Sequence, residues 1–168
     1  NFDHHAGNPY MIMEYMRGQS LDDFLRANAA NGLPLKDAFK LIQGMVDGLG
    51  YIHGAGLVHS DFKPNNVFVG ADGEAKILDL GIARINEAAV KNDQETQFNA
   101  SALGALTPTY ASCEMFEGQP PDPRDDIYAL GCVIYELLAG HHPFNRVPAL
   151  QARAAPARPY PHRSSYRK

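Results

Sequence analysis

Cysteine is scarce: the 168 residues hold two, Cys113 and Cys132, and neither lies in a C-x-x-C or C-x-x-H spacing. That speaks against a disulfide framework or a cysteine-based zinc site and favours a reducing, cytoplasmic setting. Long apolar runs are missing too. No stretch approaches the roughly 18 residues that a spanning helix needs. The opening NFDHHAGNPY has neither a charged leader region nor an apolar core, so neither membrane insertion nor secretion is expected of this stretch. Acids vanish from the last 24 positions, which hold 6 Lys/Arg, whereas residues 1–144 carry all 19 acids against 9 Lys/Arg, a net charge of −10. The Pro/Ala/Arg-rich tail, 146–168, is therefore set apart from a domain covering 1–145. Its prolines at 148, 156, 159 and 161 are expected to deny it a helix and leave it poorly ordered. No aromatic platform or reading motif accompanies its basic residues, so nucleic acid is not an expected partner.

What is present suits one globular domain, with 45% hydrophobic and 20% charged residues. Pro9 to Tyr15 reads as a buried strand running out at a flexible Arg17-Gly18. Ser20 is placed to cap a short helix, with Asp22 and Asp23 in its first turn and Leu21, Phe24 and Leu25 toward the core. From Pro34, the apolar positions Leu35, Ala38, Phe39, Ile42, Met45, Val46, Leu49, Ile52 and His53 follow steps of three and four, predicting a long helix that ends near Gly54 or Gly56. A hairpin is predicted from Asn66–Val69, the turn Ala71-Asp72-Gly73, and Ala75–Leu78. Residues 85–109 are polar and aperiodic, the signature of a functional loop. Asp126 to Ala139 is apolar on nearly every side and predicts a buried helix. The fold class is mainly α with short β hairpins.

Two strings flank the hairpin: His59-Ser60-Asp61-Phe62-Lys63-Pro64-Asn65-Asn66 before it and Asp79-Leu80-Gly81 after it. Either alone is ordinary turn chemistry. In this order and spacing they resemble the catalytic loop H-R-D-L-x-x-x-N and the D-F-G of protein kinases. The resemblance implies a kinase C-terminal lobe using ATP and Mg²⁺ on a protein substrate. Asp61 would accept the proton of the substrate hydroxyl, and Lys63 would contact the transferred phosphate, as in serine/threonine kinases. Asn66 and Asp79 would hold Mg²⁺, a hard cation suited to oxygen ligands. His59, Leu80 and Gly81 would be structural. Gly104 to Glu114 resembles the end of an activation segment, which makes Thr107 the partner of Asp61 and Lys63 and Glu114 a buried ion-pairing acid. Asp126-Ile127-Tyr128-Ala129-Leu130-Gly131 is similar to D-x-W-S-x-G, which implies that Asp126 fixes the catalytic-loop backbone. An unpaired buried carboxylate would be costly, so Asp126 requires such a partner. Met13-Glu14-Tyr15-Met16 resembles the hinge that binds adenine, with Met13 as gatekeeper. Glu14, Met16, Ser20 and Phe68 would join it around the nucleotide.

Three departures qualify the likeness. Ser60 replaces the arginine of H-R-D, making loop phosphorylation a weaker switch. Leu80 replaces the phenylalanine of D-F-G, a conservative packing change. No G-x-G-x-x-G loop or V-A-I-K lysine precedes Pro9, and 146–168 stands where further helices are expected. The N-lobe therefore reads as largely absent, the isolated chain as nearly inactive, and Glu114 as short of its arginine. A small-molecule phosphotransferase of the aminoglycoside or choline kinase kind shares H-x-D-x-x-x-x-N, but Lys63 and the Thr107–Glu114 segment oppose it. A pseudokinase-like binding module is the alternative of a different class. The segments together look most like bacterial serine/threonine kinases of eukaryotic type, with Thr96, Ser101 and Thr107 as candidate autophosphorylation sites.

Overall fold

The structure, a computed structural model, describes residues 2–5, 8–11, 14–78, 84–85 and 107–154. Strands β1 (Phe2–His5) and β2 (Asn8–Met11) form an antiparallel hairpin with Phe2 opposite Met11. The strand expected over Pro9–Tyr15 is thus shifted toward the N-terminus. Glu14 to Arg17 lie outside any strand, and Tyr15 is 87% exposed. Among the described residues no strand faces that stretch, and the Arg17 carbonyl accepts the Ala71 N–H, at 3.0 Å, as a turn contact rather than a ladder bond.

Arg17-Gly18 is no loose end. Strand β3 (Gly18–Ser20) pairs with β5 (Val67–Gly70), which pairs in turn with β6 (Ala75–Ile77). Gly18 has φ 152°, and a Cβ there would stand 2.1 Å from the Val69 carbonyl oxygen. Only glycine allows so close an approach.

Helix α1 (Leu21–Asn28) starts as its sequence dictates. The Ser20 hydroxyl accepts the Asp23 N–H at 3.1 Å and donates to the Asp23 carboxylate at 2.7 Å. Ser20→Ala is expected to lower stability by about 1 kcal/mol, read as a shift of the urea midpoint with an unchanged slope.

Helix α2 (Leu35–Gly54) buries one line, Ala38, Leu41, Met45, Leu49 and Ile52, while Leu35, Phe39 and Val46 are exposed. The glycines on its hairpin side matter. A Cβ on Gly44 would meet the Ala75 carbonyl at 2.6 Å, and one on Gly48 would meet Ile77 at 2.8 Å. Bare backbone at these two positions lets the β5–β6 hairpin lie directly on the helix, which fixes where both ends of the hairpin emerge. Strand β4 (Leu57–Val58) follows and pairs with β7 (Arg84–Ile85).

Helix α3 (Cys113–Phe116) is a single turn capped by Ser112. Helix α4 (Pro123–Ala139) begins three residues before the predicted start, at a capping box in which the Asp122 and Asp125 side chains each accept a backbone N–H at the helix entrance. It ends at Gly140, φ 77°, where a Cβ would fall 2.6 Å from the Gly32 nitrogen. Its burial is one-sided. Leu130, Val133 and Leu137 enter the core with Leu21, Met45 and Leu49, whereas Ile127, Tyr135 and Leu138 are exposed. Each fully buried aliphatic side chain of this cluster contributes roughly 1.5–3 kcal/mol over leaving it in water.

The tail corrects its expectation as well. Helix α5 (Ala149–Ala154) forms immediately after Pro148, whose carbonyl accepts the Ala152 N–H at 2.9 Å. Proline ahead of the first helical residue withholds no bond the helix needs, so it opens this turn rather than forbidding it. Arg153 then reaches Glu117 beside α3 at 2.7 Å. Among the described residues no helix is long and apolar enough to cross a membrane.

Candidate active site

The loop between β4 and β5 is held from beneath by one carboxylate. Asp126, 1% exposed, accepts the His59 N–H on Oδ2 at 2.8 Å and the Ser60 N–H on Oδ1 at 2.9 Å, and its Oδ2 also meets His53 Nε2 at 2.8 Å. Ser60 has φ 65°, left-handed without being glycine, a conformation that persists only where its surroundings enforce it. The grip of Asp126 on two successive N–H groups supplies that enforcement.

His59 is fully buried. Its Nδ1 accepts the Asp61 N–H at 3.3 Å, so the ring proton sits on Nε2, which faces the Leu78 carbonyl at 3.2 Å. The ring thereby joins the start of the loop to the far end of the β5–β6 hairpin. The Leu78 N–H also donates to the Asn66 carbonyl, at 2.8 Å.

The Asp61 carboxylate collects three donors. Thr107 Oγ1 donates to Oδ1 at 2.8 Å, Asn66 Nδ2 to Oδ2 at 3.0 Å, and Lys63 Nζ pairs with Oδ2 at 2.5 Å. Lys63 Nζ also donates to Thr107 Oγ1 at 2.6 Å, closing a triangle in which Thr107 stands 44 positions from Lys63 and 46 from Asp61. Asn66 Nδ2 holds the Asp61 carbonyl too, at 2.8 Å, which spends its amide nitrogen and leaves its side-chain oxygen as the available end. The pair is half-buried, with Lys63 and Asp61 side chains 20% and 13% exposed, enough shielding to strengthen it beyond a surface pair. A cavity under the loop, bordered by Ser60, Asp61, Thr107 and Asp126, holds no more than about one water molecule.

The structure brings Asp61, Lys63, Asn66, Thr107, His59 and Asp126 together. Ser20 and Phe68 face each other across the β3–β5 ladder, although the Ser20 hydroxyl is engaged as a cap. Glu14 is exposed and Met16 half-buried. Met13, Asp79, Leu80 and Gly81 lie outside the described residues, as do Thr96 and Ser101. Glu114 does not fit its expectation of burial. It is exposed in the first turn of α3, and among the described residues no ion pair reaches it. The α5 arginine that approaches this corner goes to Glu117 instead.

Several contacts lay beyond sequence reasoning. Tyr110 donates its hydroxyl to Glu136 Oε2 at 2.7 Å, and Arg146 donates to Glu136 Oε1 at 2.8 Å. Burial, with the Glu136 carboxylate beside it, pushes the Tyr110 phenol far above its ordinary range. The Ser112 hydroxyl donates to Asp125 at 2.6 Å, and burial raises the Asp125 carboxyl despite that bond. By spacing, His53 is one more position on the apolar face of α2, yet its ring meets the Asp126 carboxylate. A polar ring within that face was its only signal.

A family model described as "Protein kinase domain" matches residues 2–158. The chain is 37% identical over 136 residues to a "Probable serine/threonine-protein kinase PknB" of Bifidobacterium longum, covering 81% of this chain and 19% of that protein. It is 35% identical over 136 residues to the "Serine/threonine-protein kinase PknB" of Mycobacterium leprae, covering 81% and 21%. A probable serine/threonine-protein kinase of Streptomyces coelicolor matches at 35%, covering 81% and 19%. The chain thus spans about a fifth of the length of the curated relatives it matches.

Proposed function

We propose, from the premise that this chain belongs to the protein kinase family, that it carries the phosphate-transferring side of a serine/threonine kinase acting from ATP on a protein hydroxyl. The observation that carries this reading is the triangle of Asp61, Lys63 and Thr107. Phosphoryl transfer needs a positioned hydroxyl and neutralised phosphate charge more than covalent help. Asp61, oriented by Thr107 and Asn66, orients the incoming hydroxyl and accepts its proton. Lys63 supplies positive charge beside that oxygen, toward the transferred phosphate. Thr107 ties the 107–110 segment to the loop, so the segment and the base are set in one geometry.

The donor set suits Mg²⁺. The Asn66 side-chain oxygen is left available by the bonds of its nitrogen, and oxygen is what a hard cation takes. Asp79 follows Leu78, whose N–H is bonded to the Asn66 carbonyl, and Asn66 and Asp79 would hold the ion. Bound there, Mg²⁺ would neutralise phosphate charge. Met13 to Met16 would receive the adenine, with Phe68 and the backbone near Ser20 at the edge of that site.

On this reading residues 1–145 comprise the hinge strand and C-terminal lobe, and the lysine that grips ATP lies outside residues 1–168. The purified 168-residue chain is therefore expected to transfer little phosphate from Mg-ATP to casein, while a longer natural protein containing it labels serine and threonine. Strong labelling by the 168-residue chain would overturn the placement of the lysine. Phosphotyrosine alone from the longer protein would overturn the assigned acceptor.

A further inference from the structure

We propose that His142 and Arg146 are positioning residues: the turn they close holds the Thr107–Tyr110 segment on α4 and so keeps Thr107 at Asp61. The proposal rests on the reading of Asp61 and Thr107 given above.

His142 is 2% exposed, and its Nδ1 accepts two backbone N–H groups, from Phe144 and Arg146, each at 3.2 Å. Those bonds close a turn in which Asn145 has φ 49° and Arg146 φ 62°, two successive left-handed residues of which neither is glycine. Such a turn needs external support, and the imidazole provides it. Held this way, Arg146 donates to Glu136, whose other oxygen takes the Tyr110 hydroxyl. The His142 ring also packs edge-on against Tyr110, with centroids 5.3 Å apart. Tyr110 N–H donates to the Thr107 carbonyl at 3.1 Å, and the Thr107 hydroxyl reaches Asp61. The path from turn to carboxylate is continuous.

An imidazole nitrogen that accepts two N–H groups cannot carry a proton, so the ring proton is on Nε2. That atom is buried without a hydrogen-bond partner among the described residues; the Thr109 carbonyl nearby favours a proton on the ring but does not meet bonding geometry. Protonation would add nothing at Nε2 and break both bonds at Nδ1. Of the other groups facing the ring, Glu136 favours the proton while Arg146 and His141 oppose it. Burial, the largest influence, opposes it too and holds His142 below the ordinary histidine value. With the folded value depressed, the hold is complete above the ordinary value of 6.5 and is lost as pH falls below it, through the folded value.

The test is amide hydrogen exchange in the 168-residue chain between about pH 7.5 and pH 5, corrected for the intrinsic rate. The Tyr110 amide is followed, with the Leu49 amide in the α2 core as control. Protection at Tyr110 is expected to fall by up to about tenfold for each unit of pKa depression, with Leu49, which opens only in wider unfolding, remaining the more protected of the two at every pH. His142→Asn, whose side-chain oxygen can accept the same N–H groups without titrating, should keep Tyr110 protected at both pH values. Arg146→Met should lower that protection at both, and Arg146→Lys should restore part of it. Unchanged Tyr110 protection, exchange at Tyr110 no faster than at Leu49, or persisting pH dependence in His142→Asn would each overturn the proposal. Phosphate transfer is not the readout, so failure of the kinase assignment and failure of the clamp are separable.

Discussion

Asp61→Asn, made in a longer natural protein containing this chain, is expected to lower kcat for phosphate transfer about 10²–10⁴-fold, the usual contribution of a positioned general base. The amide is nearly isosteric and can still accept from Thr107, so the loop should persist. It cannot take a proton, and it removes the negative charge that Lys63 faces at 2.5 Å. The loss should fall on kcat rather than on KM for ATP, because the role proposed for the substituted group is on the acceptor hydroxyl. Steady-state kinetics with ATP and protein substrate varied separately make the distinction. A kcat within about threefold of the parent would remove Asp61 from the role of base.

Asp126→Ala is expected to be among the most damaging substitutions for stability, at about 3–5 kcal/mol, the range seen when one partner of a buried charged network is deleted. The His59 and Ser60 N–H groups would be left in the interior without an acceptor, at about 1–3 kcal/mol each, and His53 would lose its partner. Ser60 would no longer be held at positive φ. Asp126→Asn should cost less, since one oxygen remains, but it sets an NH₂ against one of the two N–H groups. Urea unfolding of the 168-residue chain and both variants reads this directly. A loss below about 1 kcal/mol for the alanine variant would mean that the loop is held by something other than Asp126.

Much of this was legible because the signals are local. The cap at Ser20, the long periodic helix and the hairpin turn each follow from neighbours within four residues, where propensity and hydrogen-bond geometry act. The sequence misled where an element's role depends on what lies against it. Pro9–Tyr15 carries a strand pattern throughout, yet strand pairing stops at Met11 in the described residues because pairing requires a partner. Ile127, Tyr135 and Leu138 make α4 look buried on every side, but periodicity cannot say whether a neighbour covers a given face. The prolines of the tail carry a helix-breaking signal, yet Pro148 stands where a helix tolerates it.

The candidate site divides the same way. The order and spacing of His59, Asp61, Lys63, Asn66 and Asp126 lie in the chain itself, since each residue type is tied to the chemistry of one local turn or one helix start. The amino-acid sequence by itself determined those identities, and with them the family. Tertiary structure alone decided that His53 shares the carboxylate of Asp126 and that Arg146 reaches Tyr110 through Glu136. Those pairings depend on how α2, α4 and the hairpin pack, and packing depends on every side chain in the core at once.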